Sequence, residues 1–300
     1  MINLTNLLLC PICSESIDSC KCYKQQGDIF IYPYKEVEGD IVISGYDTLE
    51  DFGAGNIRSY TFQVVLALTT LPIAMLGARR KIGLNILDAG CGHGIIQRVL
   101  RNTRFCRNMK PHYIGIDVSL KKLSKVQEFH YPYGRLLINY PLHKGIPLAD
   151  NVIDICFLID VIEHIDKSDG INLLKEIKRV SSKDAIFVLK TPNKCNAKTQ
   201  DKKETIHKYL FELDELYDIL YDLGFKNIKV YGCEIPKANL SLLSQDELNK
   251  YNEMASLYGK WLTQFFFAFK HPGISSELLY IINNTNIDDG PKNLGLDTFI

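Results

Sequence analysis

A glycine-rich stretch, Asp88-Ala89-Gly90-Cys91-Gly92-His93-Gly94, lies between a short apolar segment and an amphipathic one. Glycines let a chain turn tightly and bring backbone N–H groups against a ligand at a helix N-terminus. Asp88 precedes the glycines, where a carboxylate can accept a hydrogen bond from a ligand ammonium group. Asp117 follows the next apolar segment, where a carboxylate can bind both hydroxyls of a ribose. The glycines and the two acids together predict a nucleoside-binding site.

Four of the nine cysteines lie near the N-terminus. Cys10-Pro11-Ile12-Cys13 has the spacing of a metal-binding knuckle, and Cys20 and Cys22 supply two more thiolates. The chain starts without the composition of a signal peptide, so we expect a cytoplasmic protein, in which clustered cysteines bind metal more often than they form disulfides. The four cysteines therefore predict a structural zinc site, with reduced free thiols or a redox pair as alternatives.

A third group, Asp160, Glu163 and His164, follows a later apolar segment. If that segment is a parallel strand, the group lies at the ligand edge of the sheet. Three interpretations are open. The side chains frame a ligand site, or His164 acts as a general base because imidazole titrates near neutral pH. In the third, all three bind a divalent cation, with His207 as a further ligand.

Short apolar segments alternate with amphipathic ones from about 82 to 232. This alternation is typical of a parallel sheet with helices on both faces. The predicted strands are Asn85–Leu87, Tyr113–Ile116, Arg135–Ile138, Ile153–Leu158, Ala185–Leu189 and Ile228–Tyr231. The predicted helices are Ile95–Arg101, Leu120–Phe129, Gly170–Val180 and Leu213–Leu223. The pattern therefore predicts an α/β fold of Rossmann-like type.

The chain divides by pattern into four parts. They are a zinc-ribbon-like module (1–34), a linker with an apolar helix (35–81), the ligand-binding α/β domain (82–232) and a helical C-terminal extension (233–300). Thr61–Ala78 is almost long enough to span a bilayer, but its polar residues, proline and glycine favour a buried helix, so we expect no membrane span. Lys plus Arg and Asp plus Glu number 35 each, which gives no global field for nucleic acid or an anionic membrane.

The chain resembles the class I S-adenosylmethionine-dependent methyltransferase family, particularly members with a small-molecule-type methyltransferase domain. The resemblance covers about 82–232. Five landmarks in order carry it: Ile86–Gly94, Gly115–Ser119, Ile146–Asp150, Asp160–Ile165 and Thr191–Asn193. It implies an enzyme that uses S-adenosylmethionine, and a seven-stranded sheet whose last strand is antiparallel.

The resemblance also implies residue roles: the loop from Gly90 to Gly94 wraps the methionine part of the cofactor, and Asp117 holds the ribose. We expect cofactor contacts from Asp88, Gly90, Cys91, Gly92, Gly94, Asp117, Val118, Asn139 and Asp160. We expect catalytic roles for Glu163 and His164. Related methyltransferases that act on catechols or RNA ends bind metal with a Glu-x-x-Glu-His set, whose first position here is Asp160.

One position departs from the family pattern. Members often have an acidic residue after the third strand, where it accepts from the adenine amino group. This sequence has Asn139 there, whose amide oxygen can accept the same bond, while Leu142 would offer only apolar packing.

The expected reaction is methyl transfer to O, N or C of an acceptor, most simply a small molecule. One alternative is RNA methylation, with the cysteine module recognising the substrate, although that module offers few basic or aromatic positions (Lys21, Tyr23 and Lys24). Another is a cofactor-binding scaffold without turnover. The oligomeric state has no signature in the sequence.

Overall fold

The computed structural model describes residues 4–33, 82–102, 104–195 and 207–283. The chain forms two compact units. The first unit comprises Met1–Leu158 with Ser168–Phe187, and the second comprises Ile159–Lys167 with Val188–Ile300. The predicted apolar helix Thr61–Ala78 lies outside the described residues.

The strands of the first unit form a mixed sheet. They are β1 (Lys24–Gln26), β2 (Ile29–Ile31), β3 (Asn85–Ala89), β4 (His112–Asp117), β5 (Arg135–Asn139), β6 (Ile153–Ile159) and the first part of β7 (Ser181–Pro192). Their order is β1-β2-β5-β4-β3-β6-β7. β2, β5, β4, β3 and β6 pair in parallel, and β1 pairs antiparallel with β2. The predicted Rossmann-like α/β class is confirmed.

The central strands could be predicted from the sequence because they are buried along nearly their whole length. All six residues of β4 are buried, and only the second and last residues of β6 are partly accessible. A strand that is covered on both faces has an unbroken apolar run rather than an alternating one. The helices of this unit are α1 (Ile95–Asn102), α2 (Arg104–Met109), α3 (Leu120–Glu128) and most of α4 (Lys167–Val180). The buried stripe of α4 is Leu173, Leu174, Ile177 and Val180, as the spacing predicts.

The second unit contains the end of β7, β8 (Ile228–Glu234) and β9 (Glu277–Asn283), in the order β7-β9-β8. Its helices are α5 (Leu213–Asp222), α6 (Gln245–Tyr258) and α7 (Lys260–Phe269). β8 and β9 pair antiparallel, with Ile228 opposite Ile282 and Tyr231 opposite Leu279. An antiparallel pair at this position is what the resemblance implies.

The prediction of a purely helical extension over 233–300 is wrong at β9. Leu278, Leu279, Tyr280 and Ile282 are fully buried in that strand. A short apolar run has no periodicity that separates a buried strand from a buried helical segment. β3–β9 supply the seven strands that the resemblance implies, and β1 and β2 add two more within the described residues.

None of the described helices is long and apolar enough to cross a membrane.

Candidate functional sites

The glycine loop joins the end of β3 to α1. Gly90, Gly92 and Gly94 have φ values of +77°, +48° and +68°, a region that side chains other than glycine rarely adopt. A Cβ on Gly94 would also lie 3.0 Å from both methyl groups of Val126, whereas a Cβ on Gly92 would meet nothing within 4 Å. The loop therefore presents bare backbone to open space at Gly92 and is packed tightly at Gly94.

Asp117, the last residue of β4, connects this loop to the next turn. Its Oδ2 accepts from the Gly92 N–H at 2.8 Å, and its Oδ1 accepts from the Ser119 N–H at 2.8 Å. The N–H groups of Gly90 and Cys91 donate to the carbonyl of Ile116 at 2.8 and 3.0 Å. The carboxylate that was predicted to bind a ribose is thus fixed against the glycine loop by two charge-assisted hydrogen bonds.

Asp88 is buried beneath the loop. The Tyr113 hydroxyl donates to its Oδ2 at 2.7 Å. Burial raises the pKa of Asp88 to about 7; the Tyr113 hydrogen bond opposes this rise, and the charge of Asp117 adds to it. Cys91 is also buried, and burial raises the pKa of its thiol. In this structure the Asp88 side chain, near the end of β3, is hydrogen-bonded to the side chain of Tyr113, near the start of β4. A contact with a ligand ammonium group stays a prediction.

Asn139 ends β5 directly opposite Asp117. Its Nδ2 donates to the carbonyls of Asp117 and Val118 at 3.1 and 2.8 Å. Because both partners are acceptors, the orientation of the amide is determined, and Oδ1 is left as the acceptor. A carboxylate at this position would have no hydrogen to donate to either carbonyl, so the amide makes two contacts that an acid could not make.

Eight of the nine predicted cofactor residues therefore lie on the carboxyl ends of β3, β4 and β5 in the first unit. The ninth, Asp160, belongs to the second unit. Asp160 has φ +54°, and its backbone N–H donates to the Lys190 carbonyl at 3.0 Å. Its carboxylate lies 2.6 Å from the Lys190 Nζ, which also lies 2.9 Å from Glu277.

Lys190 is a site residue that sequence reasoning missed. Its side chain is 3% exposed. Burial lowers its pKa, but the charges of Asp160 and Glu277 outweigh burial, and the net direction is upward. A lysine at the end of the apolar run Ala185–Leu189 was the available signal, since a charge in a buried strand needs a partner.

Glu163, His164 and His207 come together in the second unit. Their candidate ligand atoms all lie within 4.8 Å of one another, and Asp160 is not part of this group. The two imidazole rings have centroids 5.0 Å apart, and Glu163 Oε1 lies 3.9 Å from His164 Nε2. The Thr191 hydroxyl donates to Glu163 Oε2 at 3.1 Å. If this group binds a cation, the structure therefore favours Glu163, His164 and His207 as its ligands and not Asp160.

Burial shifts the pKa values of two residues in this group, Glu163 and His207. Burial, reinforced by the Asp160 charge, raises the pKa of Glu163 to about 8. Burial also lowers the pKa of His207, whose Nδ1 has no hydrogen-bond partner among the described residues. The Glu163 carbonyl accepts from the N–H groups of Lys208 and Tyr209 at 2.8 and 3.2 Å, which fixes the chain next to His207. Two imidazoles and a carboxyl can either exchange a proton or bind a cation.

The four N-terminal cysteines also come together. Their sulfur atoms all lie within 4.8 Å of one another, and none forms a disulfide. Cys13 Sγ and Cys20 Sγ are 3.7 Å apart. A tetrahedral zinc with Zn–S bonds of about 2.3 Å places its sulfurs about 3.8 Å apart. The donor set and its spacing therefore fit zinc.

Backbone donors point at these sulfurs. The N–H groups of Ile12 and Cys22 donate to Cys10 Sγ and Cys20 Sγ at 3.4 and 3.2 Å. Burial raises the pKa of Cys10, but the N–H groups of Cys13 and Ile12 outweigh it and lower that pKa to about 7. Such N–H donors stabilise a thiolate, the form that binds metal, although at Cys20 burial outweighs the Cys22 N–H and raises the pKa.

Asp88 predicts a specific pH dependence of stability. Its folded pKa of about 7 lies above its unfolded value, so ionising it costs stability as pH rises from about 4 to about 7. Asp88→Asn keeps an acceptor for Tyr113 and carries no charge. Relative to this variant, the wild type should lose on the order of 2–4 kcal/mol of unfolding free energy between pH 4.5 and 7.5 in chemical denaturation. Equal pH slopes would contradict a buried, proton-binding Asp88.

The sequence profile of a family described as "Methyltransferase domain" matches residues 63–230, more than half of the chain. No curated protein matches the chain significantly. Among solved structures, an S-adenosylmethionine-dependent methyltransferase from Archaeoglobus fulgidus matches with a TM-score of 0.53 and 18% identity, over 79% of this chain and 99% of that chain. A candidate sarcosine dimethylglycine methyltransferase from Galdieria sulphuraria matches with a TM-score of 0.50 and 13% identity, over 75% and 85%.

These two structures share the fold observed here, and the profile spans the glycine loop and the ends of β4 and β5. The chain therefore belongs to the methyltransferase domain family.

Proposed function

We propose that the chain transfers a methyl group from S-adenosylmethionine to O, N or C of a small-molecule acceptor. The observation that supports this most directly is the buried Asp117 carboxylate, which is hydrogen-bonded to Gly92 at the junction of β4 with the glycine loop. A carboxylate fixed at a strand end beside bare backbone is suited to a ribose diol. Equal numbers of basic and acidic residues favour a small acceptor over RNA.

In this proposal each residue at the carboxyl ends of the strands contacts one part of the cofactor. The backbone from Gly90 to Gly94 lies along the methionine part, and Asp117 accepts from the ribose hydroxyls. Asn139 accepts from the adenine amino group through Oδ1, because Nδ2 already donates to two carbonyls. The cofactor supplies an activated methyl group, and the protein contributes mainly by holding the acceptor in line with the bond that breaks.

We assign His164 as the base that takes the proton of the acceptor, with Glu163 as its partner. Glu163 is buried and lies beside the imidazole, so above its raised pKa of about 8 its carboxylate would stabilise a protonated His164. The proximity of His207 favours a second candidate role, in which these three side chains bind a divalent cation that would contact the acceptor.

We also propose a structural zinc at Cys10, Cys13, Cys20 and Cys22. The sulfur spacing and the N–H donors described above support it. Apart from Ile17 few apolar side chains of residues 10–22 are buried, so this segment gains little from a core of its own. In so small a segment, metal binding supplies folding free energy.

Asp117→Ala should weaken binding of S-adenosylhomocysteine about tenfold to a hundredfold, because two hydrogen bonds to a charged acceptor are lost. Isothermal titration calorimetry measures this directly. Asp150→Ala is the matched control, because Asp150 is exposed and forms a surface ion pair with Arg179. Absence of heat with a folded wild-type protein would refute the proposed cofactor.

Asn139→Asp tests the adenine contact against the family pattern. Although relatives often have an acid here, the substitution should reduce affinity for S-adenosylhomocysteine and lower the melting temperature. The new carboxylate would face the Asp117 and Val118 carbonyls without a hydrogen to donate. The melting curve and the titration of one sample check both effects. Tighter binding would show that the amide is not required as a donor.

Titration of chelator-treated protein with Mn²⁺ separates the two roles of His164. A cation site predicts saturable binding that His164→Ala and His207→Ala each abolish, because each removes one of three ligands. His271→Ala is the control, since His271 lies near Glu247 and outside this group. The base assignment predicts no Mn²⁺ binding that depends on His164 or His207.

A further inference from the structure

The N-terminal segment is attached to the rest of the first unit on both sides of its cysteines. Before them, the Ala149 N–H donates to the Leu7 carbonyl at 2.8 Å, and the Leu9 N–H donates to the Pro147 carbonyl at 3.3 Å. After them, β1 and β2 form a hairpin, and β2 pairs in parallel with β5. Residues 10–22 thus bridge two fixed backbone connections.

The second attachment ends at a residue of the candidate cofactor site. Ile31 pairs with Asn139, and the Tyr32 N–H donates to the Asn139 carbonyl at 3.3 Å. Ile29 and Tyr32 are almost completely buried in this contact region. The backbone of Asn139 is therefore held from one side by β4 and from the other by the N-terminal segment.

A charged contact attaches the other end of β5. Asp28, in the turn between β1 and β2, accepts from Arg135 Nε at 2.7 Å. Arg135 also donates to the carbonyls of Val126 and Phe129 at 3.0 and 2.6 Å, at the C-terminal end of α3. The hairpin thus contacts both ends of β5, at Arg135 and at Asn139.

Asn139 connects the hairpin to Asp117. Its side chain donates to the carbonyls of Asp117 and Val118, and Asp117 in turn accepts from Gly92. A continuous set of hydrogen bonds therefore runs from the hairpin through β5 to the glycine loop. Each bond joins residues of the same compact unit.

We propose that the metal-bound cysteine cluster is a positioning element of the cofactor site. Cys10 follows Leu9 directly and Cys22 lies just before β1, so a metal at the four sulfurs ties together the two attachments of the segment. Without the metal, residues 10–22 form a flexible connection, and β2 is no longer held in register on β5. Loss of the metal then weakens cofactor binding at a distance from the ligand. This inference rests on the proposed cofactor and on the proposed zinc.

The experiment combines three measurements on each of four proteins. Zinc content, affinity for S-adenosylhomocysteine and amide hydrogen exchange of peptides covering 115–118 and 135–140 are measured. The proteins are the wild type, Cys13→Ser, Asp28→Ala and the control Cys195→Ser, whose cysteine is exposed and outside the cluster. Asp28→Ala breaks the Arg135 contact and leaves the four sulfurs intact. It therefore tests whether attachment of the hairpin to β5 affects cofactor binding, even if Cys13→Ser does not fold.

We expect Cys13→Ser to lose its zinc and to bind S-adenosylhomocysteine about tenfold more weakly, with faster exchange in both peptides. Asp28→Ala should retain about one zinc per chain and bind roughly fivefold more weakly, because the Asp28 carboxylate loses its contacts with both Arg135 and Gln127. Cys195→Ser should match the wild type in all three measurements.

Two results would overturn the inference. One is a folded, zinc-free Cys13→Ser protein whose affinity stays within about twofold of the wild type. The other is unchanged exchange at 115–118 and 135–140 after zinc loss. If the zinc-loaded wild type itself does not bind S-adenosylhomocysteine, the proposed function fails, while the exchange data still decide whether the metal positions β5.

Discussion

The need to satisfy a buried carboxylate at the end of β4 organises the first unit. Asp117 has both oxygens hydrogen-bonded to backbone N–H groups, one from the glycine loop and one from the turn that begins α3. That arrangement needs a left-handed backbone at Gly92, and it needs β3, β4 and β5 to end side by side. The same backbone that satisfies the acid is left bare for a ligand. Stability and the proposed cofactor binding therefore depend on one set of hydrogen bonds.

The polar residues around Asp117 are hydrogen-bonded to partners within the protein. Asn139 supplies donors that an acid could not, and Tyr113 satisfies Asp88 below the loop. In the second unit, the buried Lys190 forms ion pairs with the partly exposed carboxylates of Asp160 and Glu277. Removing a single member of such a group leaves an uncompensated polar or charged atom, which costs more than the contact itself is worth.

Strands β3 to β6 and the glycine loop could be predicted because their signals are local: unbroken apolar runs and glycines at fixed spacing. β9 could not, since a short apolar run fits strand and helix equally. The pairing of Asp160 with Lys190, and the approach of His207 to Glu163, depend on contacts between residues about thirty or more positions apart. The cysteine spacing predicted that the four sulfurs come together, as they do, and a bound metal stays a proposal. No local signal indicated that the hairpin after the cysteines would add to the sheet.

That hairpin has a consequence for solubility. β5 is a buried strand with apolar side chains at Leu136, Leu137 and Ile138, and an uncovered strand of this kind is a template for association with other chains. β2 covers it, and β1 then forms the outer border with three exposed polar residues, Lys24, Gln25 and Gln26. A short, polar, lysine-bearing border discourages strand addition. The N-terminal hairpin thus covers the edge of β5, which would otherwise be prone to aggregation. A chain shortened to remove the hairpin would expose that edge.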